Sequence, residues 1–119
     1  MTALGQSLPA FVADLGERMQ RVTVVVMSEF GRRAHENSAL GTDHGWATAL
    51  FLLGSGIRGG RVYSRWPGLG REQLDANGNL PVTTDYRHVL AEIVERRLKN
   101  RRLDQVFPGF TPQFLGVTT

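Results

Sequence analysis

Apolar residues recur at helical spacing along the first twenty residues of the chain. Charged residues lie off this stripe, so the pattern predicts an amphipathic helix over residues 8–20. Ser7 suits the N-cap, and Pro9 suits the first turn of such a helix. The members of the stripe are Leu4, Leu8, Phe11, Val12, Leu15 and Met19.

Two short runs further along the chain are apolar on both faces. They are VTVVVM at residues 22–27 and TALFLLG at residues 48–54. A strand that is covered on both sides reads in this way, and such strands are typical of parallel sheets. The two runs therefore predict neighbouring parallel strands in a layered α/β fold.

The remainder of the chain alternates between irregular and helical patterns. Residues 54–83 are rich in glycine, with a short hairpin predicted around GGRVYSRW and a turn at ANGN. From Thr84 an apolar stripe predicts a second helix, with Asp85 in its first turn and His88 facing solvent. A short helical turn and then extended chain are predicted after it.

Length and composition narrow the range of functions. A chain of 119 residues suits one domain, and the absence of cysteine excludes disulfides and thiolate metal sites. The net charge is +3, but the basic run ERRLKNRR reads as a solvated helix end, so no nucleic-acid partner is predicted. The chain shows neither a signal-peptide pattern nor a membrane-spanning run, so no membrane partner is predicted and localisation stays open.

The candidate chemistry lies in the polar loop between the two apolar runs. Glu29 follows the first run closely, where a carboxylate suits metal or substrate binding, although an N-cap or a salt bridge explains it equally well. Asp43 and His44 lie between two glycines, and this pair suits a zinc-like or manganese-like ion. By itself, an Asp that fixes a turn and a His that bonds to it is the simpler interpretation. Ser28 lacks the flanking glycines of a nucleophile elbow.

Four motifs together resemble one protein family. In chain order they are VTVVVMSEFGRR, GTDHG, GGRVYSRWPGL and VTTDYRHVLAEIVERRL. They are similar to the carboxyl-terminal part of the bacterial family called domain of unknown function 1501, over residues 3–116. We therefore expect one unit over residues 1–119 that corresponds to the carboxyl-terminal fragment of a larger domain.

That family is similar in turn to the alkaline phosphatase and sulfatase superfamily. The resemblance implies a partial three-layer α/β fold with a mostly parallel sheet, and metal-dependent hydrolysis of phosphate or sulfate esters in the full-length relative. It implies a divalent metal (zinc, manganese, calcium or magnesium) near Glu29, Asp43 and His44. The nucleophile segment has no counterpart here, so we expect the fragment to be inactive alone and the metal position to be unfilled.

Two alignments with the superfamily metal pair, Asp-His-Gly, are open. One matches it with DHG at residues 43–45, and the other, which we prefer, matches it with SEFG at residues 28–31. The second places Phe30 where the enzymes have a histidine ligand, and a phenyl ring cannot bind a metal. The rival hypothesis is therefore a non-catalytic binding or assembly domain. We also expect self-association through an exposed sheet face.

Overall fold

The computed structural model describes residues 2–119. Its α-helices are α1 (Thr2–Leu15), α2 (Tyr86–Arg96) and α3 (Leu103–Val106), and 3₁₀ turns lie at Gly16–Arg21 and Arg71–Gln73. Its strands are β1 (Val24–Val26), β2 (Gly31–Arg32), β3 (His44–Gly45) and β4 (Phe51–Leu53). None of the helices in this part of the chain is long and apolar enough to cross a membrane.

The sheet topology corrects the predicted fold class. Both apolar runs form strands, β1 and β4, and the two strands are neighbours, but they pair antiparallel with Val25 opposite Leu52. A second sheet joins β2 and β3, also antiparallel. Residues 2–119 thus contain two-stranded antiparallel sheets. The prediction of a partial alkaline-phosphatase-like three-layer fold with a mostly parallel sheet is wrong.

The connection between β1 and β4 explains this error. Parallel neighbours need a crossover, which is usually a helix. Residues 27–50 contain no helix and instead form the β2–β3 hairpin, so the chain returns along β1 in the opposite direction. Apolar residues on both faces of a strand favour its burial, but they do not set the direction in which the strand runs.

The first helix also differs from its prediction. It begins at Thr2, so Pro9 lies inside it and Ser7 is not its N-cap. The α-helix ends before Gly16, which has a φ of 50°. A residue in this left-handed region cannot continue an α-helix, so the chain tightens into a 3₁₀ turn. The apolar stripe continues through the break and therefore gave no sign of it.

The second helix confirms most of its prediction. Asp85 is its N-cap, where the side chain accepts a hydrogen bond of 2.9 Å from the backbone N–H of Arg87. The prediction that His88 faces solvent is wrong: His88 is half-buried, and its Nδ1 accepts a hydrogen bond of 2.9 Å from the N–H of Gln113. A turn forms at ANGN, whereas residues 59–66 form no hairpin.

The buried core is small. Val89 and Ile93 of α2 pack with Val117, and side chains of the sheet, including Val25 and Leu52, pack against them. α2 thus joins the sheet to the carboxyl-terminal segment. Many other large apolar side chains stay exposed, as described below.

A buried carboxylate fastens the carboxyl-terminal segment to α2. Glu92 is 2% exposed. Its Oε1 accepts hydrogen bonds of 2.8 Å from the backbone N–H and the hydroxyl of Thr118. Its Oε2 accepts hydrogen bonds of 2.9 Å from the N–H groups of Leu115 and Gly116. The carboxylate therefore supplies the hydrogen-bond acceptors that a neighbouring strand would otherwise supply to the backbone N–H groups of this segment.

Glu92 also sets a pH dependence of stability. Burial raises the pKa of its carboxyl group, but the hydrogen bonds from Thr118 and Gly116 outweigh burial and hold that pKa below its usual value. Its stabilisation is therefore complete above the unfolded pKa and is lost as pH falls through the lower, folded pKa. We expect the free energy of unfolding in urea to fall from about pH 5 to about pH 3. Glu92→Gln should flatten this slope, and equal slopes for both proteins would contradict the assignment.

Candidate functional site

The polar loop is closed by a hairpin that depends on two glycines. Gly31 of β2 lies opposite Gly45 of β3. A Cβ on Gly31 would overlap the carbonyl oxygen of Ala47, and a Cβ on Gly45 would lie 2.7 Å from the carbonyl carbon of Arg32. The two backbones therefore approach more closely than other residues permit. This approach places residues 29–33 beside residues 42–47.

His44 is held in an aromatic stack at this hairpin. Its ring lies on the ring of Phe30, with centroids 3.9 Å apart and an interplanar angle of 20°. The guanidinium carbon of Arg32 lies 5.0 Å from the Phe30 centroid. Arg32 also donates a hydrogen bond of 2.6 Å from Nη1 to the carbonyl of Thr42. Phe30, which was predicted to take a ligand position, therefore covers one face of the imidazole.

Asp43 has different partners from its neighbour. Its Oδ1 accepts a hydrogen bond of 2.9 Å from the amide of Asn37, and its Oδ2 lies 3.8 Å from Nη1 of Arg33. The carboxylate thus stabilises the loop, as in the simpler interpretation of the sequence, but its hydrogen bond comes from Asn37 rather than from His44.

Glu29 lies in the loop that follows β1 and is exposed. Its carboxylate accepts no hydrogen bond from the side chains or backbone of residues 2–119 and borders a large groove. Within the same residues, no group of three or more His, Asp or Glu side chains is placed to hold a metal ion. The assignment of Glu29, Asp43 and His44 as metal ligands stays a prediction.

The turn at residues 75–79 is bonded to the polar loop. Arg33 forms a β-bridge with Asn79, and the N–H of Ala34 donates 3.0 Å to the carbonyl of Gly78. Hydrogen bonds from the side chain and backbone of Asn79 hold the pKa of Asp75 below its usual range. Asn79 is buried, so this turn is a firm support. The sequence predicted the turn without its role.

A large apolar groove of about 1450 Å³ lies beside β4. It follows β4, and the sheet has no strand on that side of β4 within residues 2–119. Trp46 is 69% exposed, Trp66 64% and Phe51 47%. The sequence predicted an exposed sheet face but not the groove itself, for which two tryptophans within irregular segments were a signal. The six large side chains that mark the apolar groove are Met27, Phe30, Trp46, Phe51, Trp66 and Tyr86.

Comparison with known proteins decides the family. Residues 1–107 match the model of the family described as Protein of unknown function (DUF1501). The chain belongs to this family. The DUF1501 resemblance in the sequence motifs is therefore confirmed, whereas its extension to alkaline phosphatases and sulfatases is not shown by this match. No curated protein and no solved structure matches the chain.

Proposed function

We propose that this DUF1501 chain is a non-catalytic binding and assembly unit. The observation that carries the proposal is the apolar groove beside β4. Contiguous exposed apolar surfaces that are rimmed by polar residues often mark contacts with other polypeptides. We therefore assign the proposed function to the groove rather than to the polar loop.

The dimensions of the chain support the same proposal. Its radius of gyration is 16.5 Å, whereas a compact domain of 119 residues has one of about 13.5 Å. The buried apolar core is limited to Val89, Ala91, Ile93 and Val117 among the described residues. A chain with so little buried apolar area gains stability by covering its exposed surface with another polypeptide.

The contacts of the polar loop support a structural role for it. His44 is stacked on Phe30, and Asp43 is engaged by Asn37 and Arg33. Both side chains are thus engaged with neighbours in the loop rather than with each other. This arrangement favours the interpretation in which hydrogen bonds and stacking hold the loop.

Metal-dependent hydrolysis of a phosphate or sulfate ester is the second candidate. The hairpin places Arg32 and Arg33 beside Asp43 and His44, and guanidinium groups bind phosphate and sulfate oxygens well. In this case Glu29, Asp43 and His44 would contribute to a divalent metal site, and carboxylate and imidazole groups suit zinc or manganese. A bound metal would stabilise negative charge on the ester oxygens.

Activity and metal binding separate the two candidates. We expect no turnover of p-nitrophenyl phosphate or p-nitrophenyl sulfate above buffer with zinc, manganese, magnesium or calcium, and no saturable metal binding by calorimetry. His44→Ala should leave the fold intact by circular dichroism. His35→Ala is the matched control, because His35 is an exposed histidine of the same loop. Turnover or metal binding that His44→Ala removes and His35→Ala retains would overturn the proposal.

Dye binding tests the groove itself. At low protein concentration we expect saturable binding of an apolar fluorescent dye, which Phe51→Lys should weaken at least about tenfold. The control is Leu98→Lys, because Leu98 is 69% exposed and lies outside the groove. Equal dye binding by both variants, or a wild-type chain that binds neither dye nor protein, would remove the basis of the proposal.

A further inference from the structure

We propose that the apolar groove is filled by β4 of a second copy of this chain, which pairs antiparallel with β4 across a two-fold axis. The proposal rests on the proposed function and names its partner. The pairing joins the β1–β4 sheets of the two copies into one four-stranded sheet, in the order β1-β4-β4-β1. The side chains on the walls of each groove cover the incoming strand.

The unpaired edge of β4 is the first support. β1 pairs with one edge of β4, and within residues 2–119 no strand pairs with its other edge. Every residue from Thr48 to Leu53 borders the groove, whereas no residue of β1 does. The groove therefore runs along the free edge, where a strand from another chain finds both hydrogen-bonding groups and an apolar channel.

The composition of the edge is the second support. Proteins protect free edges with charged residues, proline or bulges. Residues 48–54, TALFLLG, contain no charge and no proline, and they are rich in large apolar side chains. Nothing in this run therefore opposes pairing with an identical run. Antiparallel pairing of identical strands also satisfies two-fold symmetry, because each residue meets its partner reciprocally.

The exposed area is the third support. The chain exposes 8830 Å², whereas a compact monomer of 13.2 kDa exposes about 6,400 Å². The excess of about 2,400 Å² is well above the roughly 800 Å² that each partner buries in a stable interface of standard size. The chain therefore exposes more than enough surface for a stable interface with a second copy.

Sedimentation velocity over a range of concentrations tests this pairing. We expect the wild-type chain to sediment at twice its mass of 13.2 kDa. Phe51→Lys places a charge on the edge strand, and we expect it to raise the dissociation constant at least about a hundredfold. Trp66→Lys, which changes the groove wall outside any strand, should weaken the dimer as well. Leu98→Lys should sediment like the wild type.

Amide hydrogen exchange distinguishes strand pairing from a merely hydrophobic contact. Protection of the backbone at residues 50–53 should rise with protein concentration in the wild type and in Leu98→Lys, and not in Phe51→Lys. A wild-type monomer at about 100 µM would overturn the pairing. If that monomer still binds the dye, another polypeptide fills the groove and the proposed function survives. A dimer that Phe51→Lys and Trp66→Lys leave unchanged would also overturn the pairing.

Discussion

Glu92→Ala is expected to lower the free energy of unfolding by about 3 kcal/mol. The substitution leaves the N–H groups of Gly116 and Thr118 and the hydroxyl of Thr118 without their acceptor. A buried donor that loses its partner costs about 1–3 kcal/mol, and relief from burying a charge returns part of the total. Because Val117 lies between these residues and belongs to the core, release of the segment also loosens the packing on α2.

Urea denaturation followed by circular dichroism measures this loss. The matched control is Glu95→Ala, which removes a carboxylate three residues along the same helix. The Glu95 side chain accepts no hydrogen bond within residues 2–119, so we expect a change within about 0.5 kcal/mol. Similar losses in the free energy of unfolding for the two variants would show that the hydrogen bonds to Glu92 do not hold the carboxyl-terminal segment.

Gly31→Ala is expected to cost about 3 kcal/mol and to open the β2–β3 hairpin. The new Cβ would overlap the backbone of Ala47, which cannot move aside as a flexible side chain could. Separation of the strands would also remove the support for the stack of Phe30 on His44. The polar loop should therefore lose its order together with the hairpin, while α2 and the core around it remain.

Gly5→Ala provides the opposite expectation for the same chemical change. Gly5 lies inside α1, and a Cβ there would meet no atom within 4 Å. Alanine in a helix is more favourable than glycine by about 0.5–1 kcal/mol, so this variant should be slightly stabilised. Chemical shifts of the Phe30 and His44 rings report the loop directly. Unchanged shifts in Gly31→Ala would contradict the close approach of the two strands.

The parts of the fold that hydrophobic patterns predicted are those in which neighbouring residues decide the outcome. The two apolar runs became β1 and β4, because short β-branched or large apolar segments favour extended chain. The stripe after Thr84 became α2, with Asp85 at its N-terminus. Helix periodicity and N-capping act within a few residues, so the sequence contains them in full.

Strand direction and helix ends were not predictable in the same way. The direction of β4 depends on the path of residues 27–50, which fold back through a hairpin whose close contact requires Gly31 and Gly45. The early end of α1 depends on the backbone conformation of Gly16, and the apolar stripe does not register it. Both features are set by backbone geometry rather than by hydrophobicity.

The candidate site was likewise predicted only in part from the sequence. The sequence identified a polar loop with Glu29, Asp43 and His44, and it showed that Phe30 is unsuited to bind a metal. Pairing of β2 with β3 then decided which side chains meet, and it placed Phe30 on His44 and Asn37 on Asp43. Contacts between residues that are six to fourteen positions apart in a loop follow from its closure.

By itself the sequence determined the family, the positions of the main strands and of α2, and the types of residue in the polar loop, because these follow from local order and residue chemistry. Only the tertiary structure decided the antiparallel pairing, the hydrogen bonds from Thr118 to Glu92 and the groove along the free edge of β4. The residues that line the groove come from several segments between Leu8 and Val117 that are far apart in sequence. Such a surface exists only once the folded backbone has brought those segments side by side and left the edge of β4 unpaired.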